Sequence, residues 1–573
     1  MRGAARAHGI IPGYSLTMGI TVAMMSVFIL IPLASILVFS THQSPADFVK
    51  VVTDDAVRNA LLTSVGCAFI AALINCFFGL VIAMALVRCD FPGKRILDGM
   101  IELPLAIPTA VAGITLSKLY SDAGGMGQAL GVFGIKVSYT HLGIIVALIF
   151  VGIPFTVRTV QPVLEKLSPS YEEAAFTLGA GRAYTFRRVV LPEVLPALLT
   201  GFSLAFARGI GEYGSVIYIS GNSAKNKTQV ISYVIMQKLN YLDYAGATAI
   251  ALVMVLISFL MLLLINGIAV YQARKTESDY VATAGTASSH DDGMMGKVFV
   301  AASVLFVFLM LVLPLISLIH NAFSRGFAFY MSSLTTEYFR SALAVTLLAA
   351  VLALAVNTFF GLCAAWLLTR FSFRGKQVLG ALIDIPFSIS PVIAGLAYIM
   401  TFGRLGWAYP FLEWINNTLG TDIQIVFALP GVVLATIFVT FPFVSRELIP
   451  VMNSVGTAEE EAASMMGASG FTIFRRVTFP HIKWPLIYGM ILCTARALGE
   501  FGAVSALSKT RGETFTLPLE IDALYMSGSA ESITAAFAVS SVLVIMAVTL
   551  LAARNIFEYR ERMRNVSGTK RHL

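Results

Sequence analysis

Apolar and polar residues alternate along this chain on the scale of a bilayer, not of a helix turn. A hydrocarbon core of about 30 Å takes about 20 mostly apolar residues to cross. Such runs occur near 16–39, 60–87, 100–120, 142–160, 193–219 and 246–271, and again near 297–319, 341–369, 379–402, 425–445, 485–507 and 534–553. The pattern predicts twelve transmembrane helices and an all-α polytopic membrane protein. Two runs are interrupted, 100–120 by Pro104 and Pro108 and 379–402 by Pro386 and Pro391. Prolines at that depth need protein neighbours to satisfy the carbonyls they free. The first run is too long, and too poor in small residues at its end, for a removable signal peptide, so it reads as a retained span.

The spans form two copies of six. The stretch "NCFFGLVIAMALVRCDFPGK" (75–94) pairs with "NTFFGLCAAWLLTRFSFRGK" (357–376) at an offset of 282. Further on, "ARGIGEYGSV" (207–216) pairs with "ARALGEFGAV" (495–504), and Glu173 with Glu461, at an offset of 288. The six extra residues fall between Gly113 and Gly143 in first-copy numbering, in a predicted outer loop where insertion is tolerated. An even number of spans makes the copies run parallel, with a pseudo-two-fold axis and a path between them. Residues 1–271 form the first half and 297–573 the second. Residues 272–296 are polar and rich in Ser, Thr, Ala and Gly, and read as a flexible cytoplasmic linker.

Lys and Arg set the orientation. Arg2 and Arg6 precede the first run, Arg88, Lys94 and Arg95 follow the second, and Arg274 and Lys275 follow the sixth. Arg370, Arg374 and Lys376 follow the eighth, and the tail from Arg554 is again basic. Both termini are therefore expected in the cytoplasm, although Lys225 and Lys227 lie on the other side. The net charge of +8 is accounted for by these loops and needs no nucleic acid. The five cysteines fall in spans or, for Cys89, in an inside turn, and suggest packing rather than a disulfide or metal framework.

Between two spans stands the polar segment "YEEAAFTLGAGRAYTFRRVVLP" (171–192), and its counterpart recurs in the second half. Ser170 and Glu173 have capping-box spacing, predicting a short helix from Tyr171, and Thr457 and Glu460 a similar cap. Gly179 and Gly181, like Gly467 and Gly470, break the helix. A second short helix with Arg187 and Arg188, or Arg475 and Arg476, is expected to run to Pro192 or Pro480, where the next span begins. Ala174 and Ala175, like Ala462 and Ala463, leave a narrow surface suited to a groove in another protein. An amphipathic loop on the headgroups is the plainer reading, but two copies with one internal spacing speak against it.

The pattern E-A-A, Gly six residues later and Pro nineteen residues after the Glu (173/179/192 and 461/467/480) resembles the coupling motif of ABC importer permeases. Through "ELPLAIPTAVAGITLSKLY", "FARGIGEYGSVIYISGN" and "YLDYAGATAIALVMVLISF", the first half is similar to the T-type permease of the sulfate/thiosulfate importers. Through "ARALGEFGAVSALSKTRGETFTLPLEI" the second half is similar to the W-type. In that family the two are usually separate chains, and fusion would fix their pairing. The resemblance implies the type I ABC importer permease fold and a bacterial inner membrane. It assigns docking of the ATPase to Glu173, Ala174, Ala175, Gly179, Glu461, Ala462, Ala463 and Gly467. It implies two copies of an ATP-binding subunit, a periplasmic or extracellular sulfate-binding protein, and ATP and Mg held on the ATPase, with no cofactor on this chain. No G-x-x-x-x-G-K-[ST] loop occurs in the sequence, so the motor has to be a separate protein.

Arg208 with Glu212 and Arg496 with Glu500 are i,i+4 charges inside apolar runs. A charge at mid-span costs about 2.5–3.5 kcal/mol on insertion scales, so these groups should face the bundle interior or a water-filled cavity. They would either lock the fifth spans together or gate and line the path. The spans show no arginine cage that would trap an anion. Molybdate or tungstate uptake, ferric-iron uptake and secondary transport remain as other readings of a duplicated twelve-span chain. No catalytic His cluster, nucleophile elbow or metal-ligand spacing points to a membrane enzyme.

Overall fold

The computed structural model describes residues 11–276 and 294–569. Arg2, Arg6 and most of the proposed linker lie outside the described residues. Every regular element among the described residues is helical. The first half contains α1 (Tyr14–Thr41), α2 (Asp55–Arg88), α3 (Lys94–Ala106), α4 (Thr109–Leu119), α5 (His141–Lys166), α6 (Ser170–Thr177), α7 (Arg182–Ile210) and α8 (Tyr244–Thr276). The second contains α9 (Gly296–Ala322), α10 (Glu337–Arg370), α11 (Pro391–Phe402), α12 (Leu429–Val455), α13 (Ala458–Met465), α14 (Phe479–Leu498) and α15 (Ala530–Thr569).

Nine described helices are long and apolar enough to cross a membrane, and α3 with α4 passes the same test as a pair bent by 107°, a broken span or a re-entrant loop. The departures from twelve plain spans have local causes. The run 100–120 is bent because Ile107 and Pro108 are extended between α3 and α4, and the run 379–402 is broken in the same way at Ile389 and Ser390. The helix α14 corresponds to α7 but carries His481, Lys483 and Arg496, which dilute its apolar run. The predicted fifth spans, 193–219 and 485–507, also end early as regular helix, at Ile210 and Leu498.

Helix ends follow the sequence. Glu337 stands in the first turn of α10 and Arg370 in the last, each opposite in sign to the helix-dipole end it occupies. The Thr336 hydroxyl accepts from the Phe339 amide at 3.2 Å, a side-chain N-cap. The six-residue difference between the copies falls in the loop before α5 and α12, where a short helix over Gly125–Gly131 is matched by a longer one over Tyr409–Leu419.

The halves exchange their first spans. On α1, Tyr14 meets Phe371 with ring centroids 5.3 Å apart, and the Phe28 carbonyl accepts from the Tyr398 hydroxyl at 2.8 Å. Ser35 accepts from Thr401 and from the Trp407 indole, each at 2.8 Å. Reciprocally, Phe306 on α9 stacks on Phe78 of α2 at 4.0 Å. Each half thus lends an apolar arm to the other, which a fused chain keeps in one pairing.

One repeated polar position differs between halves. The buried Asn357 amide donates to the Thr440 hydroxyl at 2.7 Å and the Ile437 carbonyl at 3.2 Å. Its counterpart Asn75 is equally buried, but Gly152 replaces the threonine and neither amide atom of Asn75 finds a hydrogen bond. A Cβ on Gly152 would stand 2.2 Å from the Asn75 amide nitrogen, so the glycine makes room for it. Losing the Asn357 bonds should cost about 1–2 kcal/mol, whereas removing an unsatisfied amide relieves a comparable burial cost. Asn357→Leu is therefore expected to lower the thermal unfolding midpoint in detergent, and Asn75→Leu to leave it unchanged or raise it. Equal losses in scanning fluorimetry would contradict this assignment.

Candidate functional site

The repeated G-E-[YF]-G segments meet at the centre of the molecule. Helix α7 ends at Ile210, and Glu212 projects back from the turn that follows. Its carboxylate forms an ion pair with Arg208 at 2.8 Å and accepts from the Ser215 amide at 3.1 Å. Glu500 does the same after α14, pairing with Arg496 at 2.7 Å and accepting from the Ala503 amide at 2.9 Å. The glutamates are 1% exposed and the arginines 14% and 13%. Each carboxylate therefore balances a buried cation and holds the start of the next short helix. The expected bridge along a helix face becomes a bridge from helix to turn, because the glycine after each helix ends it before the Glu. Neither ion pair crosses between halves, so they do not lock the two fifth spans to one another.

The rings and glycines make the crossing. Tyr213 and Phe501, equivalent in the repeat, stack with centroids 5.7 Å apart and planes 9° apart. A Cβ on Gly211 would lie 3.0 Å from Ser390 Cα, and one on Gly499 would lie 3.0 Å from Pro108 Cα. Each turn thus closes against the break in the other half's third span, at a distance only glycine allows. The Tyr218 hydroxyl donates to Asp522 of the second half at 2.8 Å. Burial pushes the Asp522 carboxyl up, against the opposing effects of this hydrogen bond and of Lys509.

A cavity of about 370 Å³ is lined by both halves, including Ile107 and Thr109, Pro391, Leu204 and its counterpart Leu492. Five arginines reach it: Arg158, Arg208, Arg446, Arg496 and Arg554. Arg158 and Arg446 sit on α5 and α12, at the polar ends of their spans, and fold inward because carboxylates meet them. Arg158 contacts Asp98 at 2.6 Å and Glu102 at 2.9 Å, and Arg446 contacts Asp384 at 2.9 Å while lying over the Phe387 ring at 4.2 Å. Arg554 also pairs with Glu102. The offset of 288 that links Arg158 to Arg446 was the sequence signal for this pair. The cavity is cationic in composition yet compensated arginine by arginine, which suits passage of an anion better than its capture.

The two polar segments form matching helices, α6 and α13, but neither has the expected capping box. Ser170 is the first helical residue and its hydroxyl lies 2.8 Å from that of Ser168. Thr457 donates its hydroxyl to Glu461 at 2.7 Å, and Glu460 turns inward. Glu173, Ala174, Gly179, Glu461, Ala462 and Gly467 are exposed, and Ala175 and Ala463 are half-buried. Gly179 and Gly467 have φ of 84° and 83°, in the left-handed region that ends a helix without strain only for glycine. Beside them Leu178 and Met466 are each 88% exposed, an apolar surface next to the acidic one. The second arm is no separate helix. Residues 182–210 and 470–498 run on continuously, and a π-helical turn at Phe186–Val190 and Phe474–Thr478 carries each segment past Pro192 and Pro480. Sequence reasoning missed the ion pairs that Glu172 and Glu460 form with Arg88 and Arg370.

The family described as "Binding-protein-dependent transport system inner membrane component" matches this chain twice, over residues 75–278 and 357–560. The chain belongs to this family. Each match runs from the second span of a half through its polar segment and its G-E-[YF]-G turn. The sulfate transport system permease protein CysT of Salmonella typhimurium is 47% identical over 263 residues, 46% of this chain and 95% of the relative. The sulfate transport system permease protein CysW of Synechocystis is 43% identical over 263 residues, 46% of this chain and 92% of the relative. CysW of Escherichia coli is 44% identical over 251 residues, 44% of this chain and 83% of the relative. Relatives of nearly full length thus account for less than half of this chain each, as expected of a T-type and a W-type permease fused in one polypeptide.

Proposed function

We propose that this chain is the transmembrane permease of an ATP-driven importer of sulfate and thiosulfate, with the T-like and W-like halves supplying the two sides of one path. The observation that carries the reading is the duplicated constellation: two exposed coupling helices, one shared cavity, and a crossed closure of the two G-E-[YF]-G turns. The chain lies in a bacterial inner membrane with both termini in the cytoplasm. Two copies of an ATP-binding subunit dock on Glu173–Gly179 and Glu461–Gly467 and hold the ATP and Mg, and a sulfate-binding protein delivers cargo to the opposite face. In this orientation the cavity opens inward and the Tyr213–Phe501 stack is the shut outer gate. The Arg208–Glu212 and Arg496–Glu500 pairs set the position of the two gate turns.

Energising by ATP suits the cargo. Bringing each negative charge into a negative interior costs about 2.3 kcal/mol per 100 mV, so a dianion faces about twice that before any concentration gradient. An open pore would release it outward. Molybdate, tungstate or ferric-iron import on the same architecture, and ion-coupled secondary transport, each predict a different competitor or energy source.

Uptake of radiolabelled sulfate tests the reading. Deleting the chain is expected to abolish uptake, with competition by excess thiosulfate but not by molybdate or ferric chelate. Unchanged uptake in cells with no second active sulfate system would remove sulfate as the cargo.

A further inference from the structure

Two buried arginines connect the coupling helices to the spans. Arg88 is the last residue of α2, and its guanidinium donates to the Leu167 carbonyl just beyond α5 at 2.9 Å and to Glu172 of α6 at 3.1 Å. Arg370, the last residue of α10, donates to the Met452 carbonyl near the end of α12 at 2.8 Å and to Glu460 of α13 at 2.9 Å. One side chain in each half therefore clips three elements together. A helix of eight residues has little stability of its own, so its placement under the spans depends on such a clip.

The two clips are built unequally. Arg370 and Glu460 are 1% and 4% exposed. Arg88 and Glu172 are 9% and 17% exposed. Glu460 also accepts from the Thr478 hydroxyl at 2.6 Å, which ties the clip to the start of the next span. The position equivalent to Thr478 in the first half is Val190, which has no hydroxyl to offer. The second clip is thus drier and joined to four elements, and charge-assisted bonds gain strength in such surroundings.

We propose that Arg370 and Arg88 are positioning residues that transmit movement of the docked ATPase from the coupling helices into the spans, and that the Arg370–Glu460–Thr478 clip carries the larger share. The inference rests on the importer reading above and assigns the two halves unequal mechanical roles. A clip that only held the fold together would change the amount of assembled protein without changing how much cargo moves per ATP.

The test uses the full complex in proteoliposomes, with ATPase and binding protein, and reads sulfate transported per ATP hydrolysed. Arg370→Met is expected to lower this ratio about tenfold and Arg88→Met about threefold, within the range over which network residues alter coupling. Arg370→Lys keeps the charge but cannot span carboxylate and carbonyl together, and is expected to fall between Arg370→Met and the parent. If Arg370→Met does not assemble, Glu460→Gln, which keeps its size and an acceptor for Thr478, should still lower the ratio. An unchanged ratio in Arg370→Met or Glu460→Gln, or equal losses for Arg370→Met and Arg88→Met, would overturn the proposal. A parental complex that moves no sulfate would instead overturn the cargo reading. The clip is then read without cargo, from maleimide labelling of a Tyr213→Cys gate reporter in the vanadate-trapped complex. Labelling is expected to rise in the parent and not in Arg370→Met, and an equal rise in both would sink the clip.

Discussion

Replacing Glu500 by alanine, or Glu212 in the first half, is expected to lower uptake by about a hundredfold with the coupling helices intact. The magnitude follows from what is left behind. Removing one member of a buried ion pair costs about 3–5 kcal/mol because the other charge stays buried without compensation. Arg496 is only 13% exposed and faces the cavity, so in Glu500→Ala it would stand as an unbalanced cation on the anion's route. The Ala503 amide would lose its acceptor as well, loosening the turn that brings Phe501 onto Tyr213. Both effects act in one direction: the gate turn loses its position and the path gains a trap. Glu500→Gln separates them, since it keeps an acceptor for Ala503 but not the charge. Its uptake should stay far below the parent, with labelled sulfate retained by the purified complex. Parental uptake by Glu500→Gln would mean that the hydrogen bond to Ala503, not the charge balance, is what the turn requires.

The architecture was legible wherever one physical constraint acts over many residues. A span must be apolar for about 20 residues, and a duplicated half repeats its pattern at offsets of 282 and 288, so the halves could be read directly. The two short helices of the polar segments were legible for the same reason, as two copies with one internal spacing. What could not be read was set by single contacts across the chain. The capping box failed at Glu460 because burial with Arg370 and Thr478 outweighs a local backbone bond. The runs around Arg158 and Arg446 did not show that Glu102 and Asp384, each from a separate stretch of the chain, meet them at the cavity. The prolines near the third spans marked the breaks, but nothing in their spacing said that the other half's glycines would close against them.

Exposed residues of the coupling helices should behave in the opposite way to Glu500. Glu173 and Glu461 lie on the surface of α6 and α13, so replacing both by alanine is expected to change stability by no more than about 0.5 kcal/mol. Insertion, thermal unfolding and the amount of protein in the membrane should match the parent. Uptake should nevertheless fall to background in the double variant, because the acidic positions are where the ATPase is proposed to dock, and the binding protein should no longer stimulate ATP hydrolysis. Gly179→Val and Gly467→Val approach the same surface through the backbone. A β-branched residue at φ near 84° is strained by about 1–2 kcal/mol, enough to reshape the end of an eight-residue helix without reaching the spans. These variants should therefore lose uptake with the gate and cavity unaltered, and copurification with the ATPase would report the defect. Normal uptake by the Glu173→Ala/Glu461→Ala chain would remove these carboxylates from the coupling surface and leave the neighbouring apolar residues, Leu178 and Met466, to hold the ATPase.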